Sequence, residues 1–133
     1  MGFALHHTAL VVGDLSRALA FYEALGFVTA FQWSAPDGSR TITQLRLGEG
    51  TIELVSYPGG AARPEADSDG APRLGLAHIA FAVDDIDAAL SRLQSEGMAA
   101  PAVTISETAF GWRIAFIEDP DGTSIELVEM AVR

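Results

Sequence analysis

With three histidines and no cysteine in 133 residues, any metal site in this chain must be built from imidazole, carboxylate and other oxygen donors. Two of the histidines share a context. When LHHTALVVGDLSRALAFYEALGF (Leu5–Phe27) is laid over LAHIAFAVDDIDAALSRLQSEGM (Leu76–Met98), His7 falls on His78. Asp14 then falls on Asp85, Leu19 on Leu90 and Gly26 on Gly97, with no gap. Each copy later carries a glutamate in an almost identical string: Glu53 in TIELV, 46 positions after His7, and Glu126 in SIELV, 48 positions after His78. Any one of these residues alone would be ordinary on a strand. As a two-fold set they read as cation ligands, because carboxylates that converge on a concave sheet repel unless a cation compensates them. Mixed nitrogen and oxygen ligation suits Zn, Mn, Fe, Co or Ni better than Ca or Mg. Four protein ligands also leave room for water or a substrate oxygen.

The elements that must hold these residues follow from periodicity. Leu5–Val12 and Leu76–Val83 are apolar runs of strand length. Asp14 and Asp85 are placed to cap helices whose apolar faces run Leu15, Ala18, Leu19, Tyr22 and Ile86, Ala89, Leu90, Leu93, with Gly26 and Gly97 at the stops. The first copy continues as TITQLRL, a GEG turn and TIELVSY. The second continues as WRIAFIE, a DPDG turn and TSIELVEM. The fold class is therefore α+β, a duplicated β-α-β-β-β unit in one domain: module one over 1–57, a Pro/Gly/acid-rich linker over 58–75, and module two over 76–133. Strand alternation puts His7 with Ala9 and Val11, and Glu53 with Thr51 and Val55, on the face away from the helix. His6 falls on the helix side or at its edge and carries no role in this reading.

Composition excludes several classes. A net charge of −10 with pI ≈ 4.5 disfavours nucleic acid and anionic membrane surfaces. A hydrophobic fraction of 49 % supports a folded core, and no apolar run reaches membrane-spanning length. The expectation is a cytoplasmic protein.

The strings HTALVVGDLSRALAFYEALGF, GTIELV, HIAFAVDDIDAAL and DPDGTSIELVE resemble the vicinal oxygen chelate superfamily, which includes glyoxalase I, methylmalonyl-CoA epimerase, extradiol dioxygenases and bleomycin-resistance proteins. The resemblance implies paired modules forming a cupped, partly open, eight-stranded mixed sheet around one divalent metal ion, with the ligand positions on His7, Glu53, His78 and Glu126. The complete His/Glu/His/Glu set looks most like bacterial-type glyoxalase I. The chain departs from that subfamily at Pro58 and Thr123, where Asn and Tyr are common.

Such a site implies proton transfer next to a carbonyl through an enediolate, with the metal as Lewis acid and Glu53 or Glu126 as proton carrier. The substrate is then a small carbonyl compound or thioester. The alternatives are an epimerase-like isomerase, or a binding and resistance protein of the same fold without catalysis. Substrate contacts are sought at Trp33, Arg40, Arg46, Trp112 and Arg113, with Gln44 and Phe110 nearby in sequence; an arginine there could grip a carboxylate or phosphate. The connection from Glu53 to His78 is long enough for a site within one chain or one shared by two. The reading favours an intrachain site, with a homodimer formed through the remaining sheet edges.

Overall fold

A computed structural model of the chain describes residues 2–62 and 74–130. The central part of the expected linker, 63–73, lies outside the described residues. The chain divides into two compact units, Met1–Pro64 and Glu65–Arg133.

The first unit contains β1 (Thr8–Val12), α1 (Leu15–Ala24), β2 (Val28–Ser34), β3 (Thr41–Leu47) and β4 (Gly50–Ser56). The second contains β5 (Ile79–Ala82), α2 (Ile86–Ser95), β6 (Ser106–Glu107), β7 (Arg113–Glu118) and β8 (Ser124–Glu129). Each is a β-α-β-β-β unit, as the repeat predicts. The eight strands form two four-stranded mixed sheets, ordered β1-β4-β3-β2 and β5-β8-β7-β6. In each, the first strand pairs in parallel with the last, and the remaining neighbours are antiparallel.

The helices begin where the sequence predicts. Asp14 and Asp85 have extended backbones, and their carboxylates accept from the amides of Arg17 and Ala88 at 3.2 and 3.1 Å. Each satisfies one of the amides that a first helical turn leaves without a partner. Gly26 and Gly97 stop the helices with φ of 108° and 75°, a conformation disfavoured for residues with a Cβ. The Glu129 carboxylate braces α2 further, accepting from the Ile86 amide at 2.8 Å.

Alternation then sorts the sheet faces. Ile52 and Leu54 of β4 are buried with Ala18, Phe21 and Tyr22 of α1, whereas Ala9 and Val11 of β1 are exposed. In the second unit Ala115, Ile117, Ile125 and Leu127 join Ile86, Leu90 and Leu93 of α2. A fully buried leucine or isoleucine contributes roughly 1.5–3 kcal/mol, so the helix side of each sheet dominates its stability. Before β8, the buried Asp119 accepts from the amides of Asp121 and Thr123 at 2.9 and 2.8 Å. This ties down the DPDG turn and fixes where the strand carrying Glu126 begins.

Candidate functional site

In each unit the parallel register between first and last strand creates a His–Glu pair. Ala9 lies opposite Glu53 and Ala80 opposite Glu126. His7 and His78 stand two residues before those alanines, so they share their face. His7 Nε2 comes within 3.4 Å of Glu53 Oε1, and His78 Nε2 within 3.7 Å of Glu126 Oε1. The four side chains are partly exposed, at 34 % and 15 % in the first pair and 36 % and 16 % in the second. The sequence repeat has thus become a repeat of geometry.

The donor chemistry fits a divalent transition metal. Bonds of roughly 2.0–2.2 Å at tetrahedral angles put neighbouring donor atoms about 3.3–3.6 Å apart. The first pair falls inside that window and the second only just outside it. Each pair offers one imidazole nitrogen and one carboxylate, the mixture suited to Zn, Ni, Co, Mn or Fe. Among the described residues no group of three or more His, Asp or Glu side chains is placed to hold an ion, so each pair by itself offers two donors.

The surroundings of the two pairs differ. Gln44 of β3 lies directly opposite Glu53 in the antiparallel register, and its Nε2 donates to Glu53 Oε2 at 3.2 Å. The residue opposite Glu126 is Phe116, whose ring meets that of His78 edge-on with centroids 5.4 Å apart. His6, left without a role by the alternation argument, places its Nδ1 2.7 Å from His7 Nδ1. Gln44 was detectable from sequence. Leu47 pairs with Gly50 across a two-residue turn, and counting back from that turn reaches Gln44 opposite Glu53. The His6 contact carries no periodic signal, because His7 precedes the first residue of β1.

The expected substrate contacts separate. Gln44 and Arg46 line a cleft of about 420 Å³ with Val28, Thr29, Ala30 and Phe31. Trp33 lies 6.0 Å below the Arg40 guanidinium, a cation–π contact, so these two engage each other. Trp112 meets Phe110 edge-on at 5.0 Å. Arg113 forks onto Asp87 of α2, with Nη1–Oδ2 at 2.7 Å and Nη2–Oδ1 at 3.2 Å, and lies 3.6 Å from Glu129. Alternation explains this, since Arg113 shares its face with Ala115 and Ile117, on the helix side, and not with Phe116. The hydrogen bonds from Arg113 hold the Asp87 carboxyl below its usual range, and Asp87 in turn raises the Arg113 guanidinium.

Two β-α-β-β-β units, each with a His–Glu pair at the same register position, define a duplicated-module protein with paired donor sites. The model of the Glyoxalase/Bleomycin resistance protein/Dioxygenase superfamily matches residues 4–127, and the chain belongs to that family. It is 34 % identical over 127 residues to the uncharacterized protein YaeR of Escherichia coli, covering 94 % of this chain and 95 % of that one. It is 32 % identical over 129 residues to a lactoylglutathione lyase of Salmonella typhimurium, covering 94 % and 91 %. Among solved structures, the glyoxalase family protein from Enterococcus faecalis aligns with a TM-score of 0.77 at 28 % identity, over 95 % of this chain and 97 % of that one.

Proposed function

We propose that the chain is a metal-dependent lyase or isomerase of the glyoxalase type, in which His7, Glu53, His78 and Glu126 together hold one divalent transition-metal ion and a proton moves between carbons next to a carbonyl. The observation that carries this reading is the recurrence of one His–Glu pair, at 3.4 and 3.7 Å, in two units whose neighbouring side chains have diverged. Gln44 stands against Phe116 and His6 against Ala77, yet the pairs themselves are alike. A single pair supplies two donors, fewer than such an ion takes, so the proposal uses both. The lyase names carried by relatives at about this similarity agree with it.

Bound by these residues, the ion supplies Lewis-acid stabilisation of negative charge developing beside the carbonyl. The side chains do the rest. Glu126 is the proton carrier in this reading, because its strand neighbour Phe116 offers no hydrogen bond, whereas moving Glu53 would break the bond from Gln44. With an α-keto hemithioacetal its carboxylate takes the proton from the carbon beside the carbonyl and returns it to the former carbonyl carbon, while the hydroxyl proton passes to the former carbonyl oxygen; with a 2-substituted acyl thioester the proton returns to the carbon it left. The net change is an isomerisation that needs no external oxidant or reductant. The cleft carrying Arg46 and Phe31 takes the non-reacting part of the substrate, and the Arg46 guanidinium suits a carboxylate or phosphate there.

The test is a screen of metal-loaded protein against two substrate classes, an α-keto hemithioacetal and a 2-substituted acyl thioester. Turnover of either that is lost in Glu126→Gln supports the proposal. Stoichiometric metal without turnover of either would favour a sequestering protein, and purified protein unable to take up metal would refute the reading.

A further inference from the structure

The two His–Glu pairs carry the same donors on different supports. Gln44 is only 7 % exposed, and a buried amide is costly unless it is hydrogen-bonded. Its Nε2 goes to Glu53 Oε2 at 3.2 Å, while the other carboxylate oxygen, Oε1, faces His7 at 3.4 Å. The oxygens of Glu53 are thereby divided: one is held by the neighbouring strand, and the other is turned to the open face. His7 is divided in the same way, with Nδ1 at 2.7 Å from His6 and Nε2 toward Glu53. For Nε2 to serve as a metal donor, the ring proton must sit on Nδ1, and His6 Nδ1 is placed to accept it. Ala77 and Phe116 occupy the corresponding positions of the second unit, and neither side chain can donate or accept a hydrogen bond there.

We propose that Gln44 and His6 are positioning residues that hold Glu53 and His7 in a fixed ligating arrangement, a hydrogen-bonded support that Ala77 and Phe116 do not supply to His78 and Glu126. This rests on the reading of the four residues as ligands of one ion. Outer partners of metal ligands typically govern affinity by roughly 10–100-fold, and the buried Gln44 contact belongs in that range. The exposed His6 contact belongs at its lower end.

The experiment measures Ni²⁺ and Zn²⁺ affinity of the full chain by chelator competition, with metal-free folding followed by circular dichroism. Gln44→Met keeps the volume and removes the donor, and it is expected to weaken binding roughly 10–100-fold. In a Glu53→Ala background the same substitution is expected to change nothing further, whereas a merely structural role would weaken both backgrounds equally. Phe116→Met, which removes no hydrogen bond, is expected to leave affinity within about twofold. His6→Ala, at an exposed position that tolerates truncation, is read in the same way if Gln44→Met fails to fold, with partial rescue expected from His6→Asn. Wild-type affinity in both Gln44→Met and His6→Ala, or equal losses with and without Glu53, would overturn the inference while leaving the functional reading intact. Failure of the wild-type chain itself to bind metal would overturn both.

Discussion

Truncating Glu129 isolates what secures the second helix, apart from any chemistry. Glu129→Ala removes the acceptor of the Ile86 amide, a bond of 2.8 Å at the first residue of α2. Ile86 is fully buried, so water cannot readily replace the carboxylate, and an unsatisfied buried donor costs about 1–3 kcal/mol. The change also removes negative charge from a helix N-terminus, a smaller effect of roughly 0.3–1 kcal/mol, and from beside Arg113 at 3.6 Å, a partly exposed pair worth about 0–1 kcal/mol. Asp85 still caps the Ala88 amide, so the helix is weakened and not abolished. Taking about 2 kcal/mol in total, thermal unfolding should move down by roughly 6–10 °C for a chain of this size. Glu129→Gln keeps an acceptor oxygen and should lose less than half of that. The assay is thermal unfolding combined with hydrogen exchange at the Ile86 amide, which should lose protection in Glu129→Ala. Metal uptake at saturating concentration should be unchanged, because Glu129 is not among the four proposed ligands. An unshifted midpoint with an equally protected Ile86 amide would refute the reasoning.

Three further outcomes are expected. Truncating Leu54, fully buried beneath α1, should cost about 2–5 kcal/mol as Leu54→Ala, read from urea unfolding; a loss below 1 kcal/mol would mean the first core collapses around the gap. Because hydrogen bonding from Arg113 lowers the Asp87 carboxyl from 3.8, its contribution to stability is present above that value and lost as pH falls through the lower folded value; the fall in urea midpoint across that acid range should be shallower in Asp87→Asn, and identical slopes would contradict the ion pair. Mixing His7→Ala and His78→Ala chains, then unfolding and refolding them together, should restore no bound metal if one chain supplies all four ligands; partial recovery would mean that two chains share a site.

How far the sequence reaches can be judged from particular residues. The gapless repeat aligned His7 with His78, and strand alternation put each histidine on the face of its glutamate. Both depend only on local periodicity and on internal comparison of the chain. The caps at Asp14 and Asp85 were legible for the same reason, since capping is satisfied within four residues. The partners of the expected substrate contacts were not legible in this way. Arg113 looked available beside an aromatic stretch, but the face it occupies is set by the register of β7, which turns it onto Asp87. Trp33 and Arg40 are both sought as substrate contacts, and the β2–β3 turn brings them within 6.0 Å of each other.

The sequence by itself determined the duplicated β-α-β-β-β plan and the four repeated donors, because these follow from spacing that a single chain carries twice. Tertiary structure decided what surrounds each pair. Cross-strand neighbours are chosen by turn length and register over nine or ten residues of separation, so Gln44 reaches Glu53 while Phe116 faces Glu126. Two stretches that read as copies in sequence thus build His–Glu pairs with the same donor atoms and different support. The difference lies in the first strand of each of these hairpins, β3 and β7, and the repeat that revealed the four donors does not extend to it.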